Sequence, residues 1–117
     1  MKSLSESEMN FAEMIWENEP IPSGQLVKMC AEQFEWKKST TYTVLKHLCE
    51  YGYFQNQDAV VTSQISKEEY LKNESSRFVE EKFQGSLSKF LAAFTGGRKL
   101  SAKQVEEIKD MIEGFDE

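Results

Sequence analysis

Within residues 37–47 the chain concentrates the side chains best suited to polar recognition: Lys37, Lys38, Ser39, Thr40, Tyr42, Thr43, Lys46 and His47. Lysines neutralise phosphates, while short hydroxyls, a phenol and an imidazole can hydrogen-bond to base edges in a DNA major groove. Such chemistry needs a rigid support. Thr41, Val44, Leu45 and Leu48 recur at i, i+3, i+4 and i+7, the spacing of one buried helical stripe. The stretch Trp36–Gly52 therefore reads as a helix, with Ser39 expected to cap its start and Gly52 to stop it. An ordinary amphipathic helix shares most of this pattern, so the neighbouring elements must decide.

Upstream, Ser5-x-x-Glu8 is a capping box that opens a helix to about Asn18, with Met9, Phe11, Ala12, Ile15 and Trp16 on its apolar side. Pro20-Ile-Pro22 interrupts the chain, because proline disfavours helix in the residue before it. Ser23 is expected to cap a second helix to about Phe34, with Leu26, Val27, Cys30 and Ala31 inward. Glu35-Trp36-Lys37-Lys38 then turns into the third helix. Helix, turn and helix over residues 23–51 have the spacing of a helix-turn-helix unit. After Gly52 the period changes: Tyr53-Phe54-Gln55 and Val60-Val61-Thr62 are β-prone runs around a turn at Asn56-Gln57-Asp58. The fold expected for residues 1–65 is a winged helix-turn-helix of three helices plus a short hairpin.

Residues 66–117 read differently. Ser66-x-x-Glu69 opens a helix through about Phe83 with few apolar positions, among them Leu71, Phe78 and Val79. Ser86–Thr95 is a brief helix dense in Leu87, Phe90, Leu91 and Phe94, ended by Gly96-Gly97. Ser101-x-x-Gln104 caps a last helix striped by Val105, Ile108, Met111 and Ile112. Three short, one-sided helices cannot bury these stripes among themselves, so this half is expected to be a dimerisation module. Phe78, Phe83, Leu87, Phe90, Leu91, Phe94, Leu100, Ile108 and Ile112 are the candidate seam.

The chain has 117 residues, enough for one domain with a core or two small modules. A hydrophobic share of 39% is modest, but eight Phe and two Trp supply large surfaces to bury. No run approaches the roughly 20 apolar residues of a membrane span, and no charged-then-apolar leader precedes the first helix. A soluble, cytoplasmic protein without a membrane partner is expected. Cys30 and Cys49 read as reduced thiols on apolar helix sides, and with a single His they form no metal spacing, so no metal or cofactor is expected. Pairs such as Glu80-Glu81 and Glu106-Glu107 read as solvated faces. Without a nucleophile–base pair, a phosphate-cradling glycine loop or a ligand cluster, an enzyme is not expected. The net charge of −6 argues against indiscriminate polyanion binding. Residues 1–65 hold five Lys against nine acids, yet three of those lysines lie in the third helix or at its entrance, and it is clustering that decides phosphate contact.

The order of these elements resembles the penicillinase-repressor family of transcriptional regulators over nearly the whole chain. Glu8 and Trp16 carry the likeness first, then Trp36, Thr40, Thr43, Leu45, Leu48 and Gly52. Glu74-Ser75-Ser76-Arg77-Phe78, Gly85-Ser86-Leu87, Ala92-Ala93-Phe94 and Leu100-Ser101 continue it. The resemblance implies a homodimer whose winged-helix domains bind a palindromic double-stranded DNA operator and block transcription. It further implies, for the antibiotic-sensing branch, inactivation when a membrane-bound sensor leads to cleavage by a regulatory protease inside the dimer module. By position the bond here is Ala93–Phe94, although the family's cleaved bond has an asparagine before the phenylalanine. The family's basic residues are replaced here by His47, by Tyr51 and by an acidic wing residue, Asp58, which lowers the expected phosphate affinity. The cysteine cluster of copper-responsive relatives is absent from Gly114-Phe115-Asp116-Glu117.

The function expected from the sequence is that of a dimeric repressor reading its operator with the helix at 39–51. The alternative is a winged-helix protein-interaction module with little operator affinity, motivated by the acidic balance and the neutral wing.

Overall fold

A computed structural model of the protein describes residues 2–115. The elements run α1 (Glu6–Asn18), β1 (Ile21–Pro22), α2 (Ser23–Phe34), α3 (Lys38–Glu50), β2 (Phe54–Gln57), β3 (Val60–Ser63), α4 (Lys67–Phe83), α5 (Leu87–Thr95) and α6 (Ala102–Phe115). This is the mainly helical, winged helix-turn-helix architecture followed by further helices that the periodicity predicts. The chain divides into two compact units, Met1–Glu74 and Ser75–Glu117, with the division inside α4.

In the first unit, α1 starts on a reciprocal capping box. Ser5 Oγ accepts from the Glu8 N–H at 3.3 Å, and Glu8 Oε1 accepts from the Ser5 N–H at 2.9 Å. The helix buries Phe11, Ala12, Met14 and Ile15; Met14 joins the expected stripe. The two internal serine caps expected downstream do not form. At α2, Pro22 occupies the cap position without a side-chain bond. The Ser23 N–H donates to the Ala59 carbonyl at 2.9 Å, because Ile21 and Pro22 pair with Val61 and Val60 as a strand right up to the helix. At α3, Lys37 is the cap residue, again without a side-chain bond, and Ser39 is already the second helical residue. Ala31, expected inward, is exposed, since the buried side of α2 is the row Ser23, Leu26 and Cys30.

The end of α3 follows the sequence reading closely. Gly52 adopts φ +90°, its N–H donates to the Cys49 carbonyl at 3.0 Å, and the Tyr53 N–H donates to the Leu48 carbonyl at 3.2 Å. That is a Schellman stop, which needs a residue free to take positive φ. Tyr53 and Leu48 are both buried beside it.

The core gathers Phe11, Ile15, Leu26, Cys30, Leu45, Leu48, Tyr53, Phe54 and Val61 from α1, α2, α3 and the wing. Each large apolar side chain so buried contributes about 1.5–3 kcal/mol. Trp36 closes one side against Phe34 (5.1 Å between ring centroids) and Phe11 (5.6 Å). Trp16 packs on Phe54 and Tyr70 and donates from Nε1 to the Ile65 carbonyl at 2.9 Å.

The sheet has the order β1-β3-β2 and is antiparallel throughout. The hairpin turn differs from expectation. Asn56 and Gln57 continue the strand, pairing with Val61 and Val60, and Asp58-Ala59 make the turn, both at positive φ (54° and 61°). A two-residue loop of this hand matches the twist of its strands. Glu19 ties the wing to the end of α1: its carboxylate accepts from the Ser63 N–H at 2.9 Å and from the Ser63 hydroxyl at 2.8 Å.

In the second unit, Ser86 caps α5 through the Lys89 N–H. Ser101 and Gln104 exchange bonds of 3.0 and 3.1 Å at the start of α6. Phe78, Phe83, Phe90 and Phe94 form a chain of ring contacts at 5.6–6.1 Å. Among the described residues of this unit none is fully buried: Leu87 is 57% and Phe94 65% exposed, and Phe78, Val105, Met111 and Ile112 are exposed as well. Leu91, Leu100 and Ile108 are half-buried.

Candidate nucleic-acid interface

The buried row of α3, Thr41, Leu45 and Leu48, fixes which face looks outward. At 100° per residue the opposite side is centred on Ser39, Thr43 and Lys46, with Thr40 and His47 along one flank. All five are exposed, as are Lys37 and Lys38 at the helix start. Seven of the eight residues expected to meet DNA are thus exposed, five on the outward side of the helix and Lys37 and Lys38 at its start. Thr43 donates its hydroxyl to the Ser39 carbonyl at 2.9 Å, which orients its lone pairs outward for a further donor.

Tyr42 is placed differently. It is half-buried against the core, and its hydroxyl donates to Ser23 Oγ at 3.2 Å. Beside it, Tyr42, Leu45, Lys46, Cys49 and Asn56 line a cleft of about 300 Å³. Burial pushes the Cys30 and Cys49 thiols up, which keeps both protonated and poor as nucleophiles or ligands at neutral pH.

The charge on the exposed face of α3 is partly offset. Lys46 Nζ lies 4.0 Å from Glu50 Oε1 in an exposed i,i+4 pair. The outward side of the wing is neutral: Gln55 donates to Thr62 Oγ1 at 3.1 Å, and Gln64 donates to Gln55 Oε1 at 2.6 Å. Asp58 is exposed at the turn.

At the far end of α3, the His47 and Tyr51 rings stack at 6.5 Å with 23° between planes. Lys2 places its Nζ 4.8 Å from the Tyr51 ring centroid. The Tyr51 hydroxyl donates to Glu8 Oε2 at 3.4 Å. Hydrogen bonding from the Ser5 backbone, outweighing burial and aided by the Ser5 and Tyr51 side chains and by Lys2, holds the Glu8 carboxyl below the usual carboxylate range. No local sequence pattern links Lys2 to a helix that starts at Lys38, so its place beside Tyr51 could not be read from the sequence.

Ala93 and Phe94 occupy the last turn of α5 and are exposed. The Ala92 and Ala93 carbonyls both accept from the Gly96 N–H at 3.2 Å, so a protease would have to open that turn. Among the described residues, no group of three or more His, Cys, Asp or Glu could hold a metal ion. No described helix is long and apolar enough to cross a membrane.

These features define a winged helix-turn-helix protein that offers the outer face of its third helix and carries a second helical unit. A sequence model described as "Penicillinase repressor" matches residues 4–114. The chain belongs to the penicillinase-repressor family, a family of transcriptional repressors rather than of enzymes. It is similar to the penicillinase repressor of Bacillus licheniformis, with 22% identity over 114 residues that cover 94% of this chain and 89% of that protein.

Proposed function

We propose that the protein is a homodimeric repressor that reads a palindromic operator with α3. The observation that carries this reading is the exposed row Ser39, Thr40, Thr43, Lys46 and His47, led by Lys37 and Lys38, on a helix whose opposite side is buried. The lysines neutralise phosphates, and Thr40 and Thr43, near the start of the helix, reach base edges. Tyr42 positions the helix through Ser23 rather than reading bases. The exposed Phe78, Leu87, Phe94 and Ile112 support pairing of second units, since apolar area of this kind is ordinarily buried against a partner. Opening the Ala93–Phe94 bond would detach α6 and weaken that pairing, which is the route by which a regulatory protease would relieve repression.

Selection from a random duplex library tests the reading. The expected result is a two-fold symmetric sequence whose half-sites lie about one helical turn, or a multiple of it, apart. If all six lysines of a dimer at positions 37, 38 and 46 engage, log affinity should fall against log salt with a slope of about −5. Thr43→Ala should change the selected sequence, whereas Lys38→Ala should weaken every sequence alike. Recovery of no preferred sequence at low salt, together with capture of a protein partner by the winged-helix surface, would replace this reading with the interaction-module alternative.

A further inference from the structure

We propose that Lys2 is an additional phosphate anchor, held at the C-terminal end of α3 by an N-terminal clasp; the inference rests on α3 being the DNA-facing helix. Three bonds fix the arm that carries it. The Tyr53 hydroxyl donates to the Lys2 carbonyl, the Leu4 N–H donates to the Tyr70 hydroxyl at 2.8 Å, and the Ser3 hydroxyl donates to Glu74 Oε2 at 2.7 Å. Residues 2–4 are thereby bound through their backbone and Ser3, which leaves the lysine side chain to project over Tyr51.

That position matters for charge. Tyr51 stacks on His47, and His47 flanks the exposed face of α3, so the ammonium of Lys2 stands beside the far end of the recognition surface. The lysines of α3 and its entrance lie at positions 37, 38 and 46, and Lys46 is offset by Glu50. Lys2 supplies a cation where the helix itself ends in Glu50 and Tyr51. The acid near it, Glu8, already accepts from Ser5 and Tyr51, and among the described residues Lys2 forms no ion pair. A ring face attracts an ammonium through its quadrupole, with no hydrogen-bond acceptor involved. The three N–H groups of Lys2 remain able to meet a phosphate.

The measurement is the salt dependence of affinity for a mixed-sequence duplex, compared among the full-length parent, Lys2→Ala and Lys2→Arg. The parent slope should be steeper than that of Lys2→Ala by about 0.9 for each Lys2 engaged, and Lys2→Arg should retain the parent slope. Tyr53 holds the backbone carbonyl of Lys2, so neither substitution removes the clasp, and equal melting temperatures for all three proteins are expected. Parent-like slope in Lys2→Ala overturns this proposal alone, as does an equal loss of slope in Lys2→Arg. A parent that shows no salt-dependent binding overturns both this proposal and the DNA-facing reading of α3.

Discussion

The phenol of Tyr42 donates to the hydroxyl of Ser23 across 3.2 Å, joining the middle of α3 to the first turn of α2. Ser23 is 4% exposed, so removing its donor leaves a buried hydroxyl short of a partner. Tyr42→Phe should cost about 1 kcal/mol of stability, the usual net value of such a bond. The selected DNA sequence should stay the same. Chemical denaturation gives the first quantity and duplex selection the second; a changed sequence preference would show that the phenol reads bases after all.

The turn of the wing offers a stabilising change. Ala59 sits at φ 61° beside Asp58 at 54°, a region that costs a residue with a Cβ roughly 1–2 kcal/mol. Asp-Gly is the pair favoured for this two-residue loop. Ala59→Gly should therefore raise stability by about 0.5–1 kcal/mol after the extra chain entropy of glycine is deducted. A lowered melting temperature would show that the turn is held by something other than local backbone preference, such as the bond from the Ser23 N–H to the Ala59 carbonyl.

Glu50 should restrain DNA affinity. Its carboxylate lies 4.0 Å from Lys46 Nζ, with both side chains largely exposed, so the pair adds at most about 0.5 kcal/mol to stability. Facing a duplex, the same carboxylate repels phosphate and competes for Lys46. Glu50→Gln should tighten binding up to about tenfold at low salt, and the gain should shrink as salt rises. Titration across a salt series measures it; unchanged affinity at low salt would place Glu50 and Lys46 away from the duplex.

The capping box of α1 sets an acid limit. Because the folded Glu8 carboxyl is held below its ordinary value, chiefly by the Ser5 backbone bond, its contribution is present above the usual carboxylate range. It is lost as pH falls through that range toward the folded value. Glu8→Gln should lower stability at neutral pH, where the ionised carboxylate contributes, and meet the parent profile in acid, so that its fall below about pH 5 is shallower. Thermal melts of the two proteins from neutral to acid pH test this, and parallel profiles would contradict it.

Which parts of the fold were legible in the sequence depends on how local their causes are. Ser5, Ser66, Ser86 and Ser101 each accept from an N–H three residues on, a relationship written into adjacent positions. Gly52 stops α3 for an equally local reason. Ser23 and Ser39 look the same in sequence and do not cap, because pairing of Ile21-Pro22 with β3 and the earlier start of α3 at Lys38 set the backbone there. The exposed row of α3 was readable because helical period alone separates it from Thr41, Leu45 and Leu48. The different position of Tyr42 depends on Ser23, and that of Lys2 on Tyr51 and Tyr53, contacts made across the fold that no short window contains.

Phe94 gives the sharpest test of pairing. It is 65% exposed at the end of α5 and sits at the edge of the aromatic chain, with 5.9 Å between its ring and that of Phe90. A glutamate there puts a charge into any apolar seam, and an unpaired charge in such a place is costly. Phe94→Glu should sediment as a monomer at concentrations where the parent is a dimer. Among the described residues the fully buried core lies in the first unit, so its melting should persist in this variant. Operator affinity should fall by about 10²-fold or more, because the second half-site is then no longer offered at the effective concentration that a linked partner provides. A variant that remains dimeric and binds as the parent does would move the seam away from α5, toward the stripe of Val105, Met111 and Ile112 on α6.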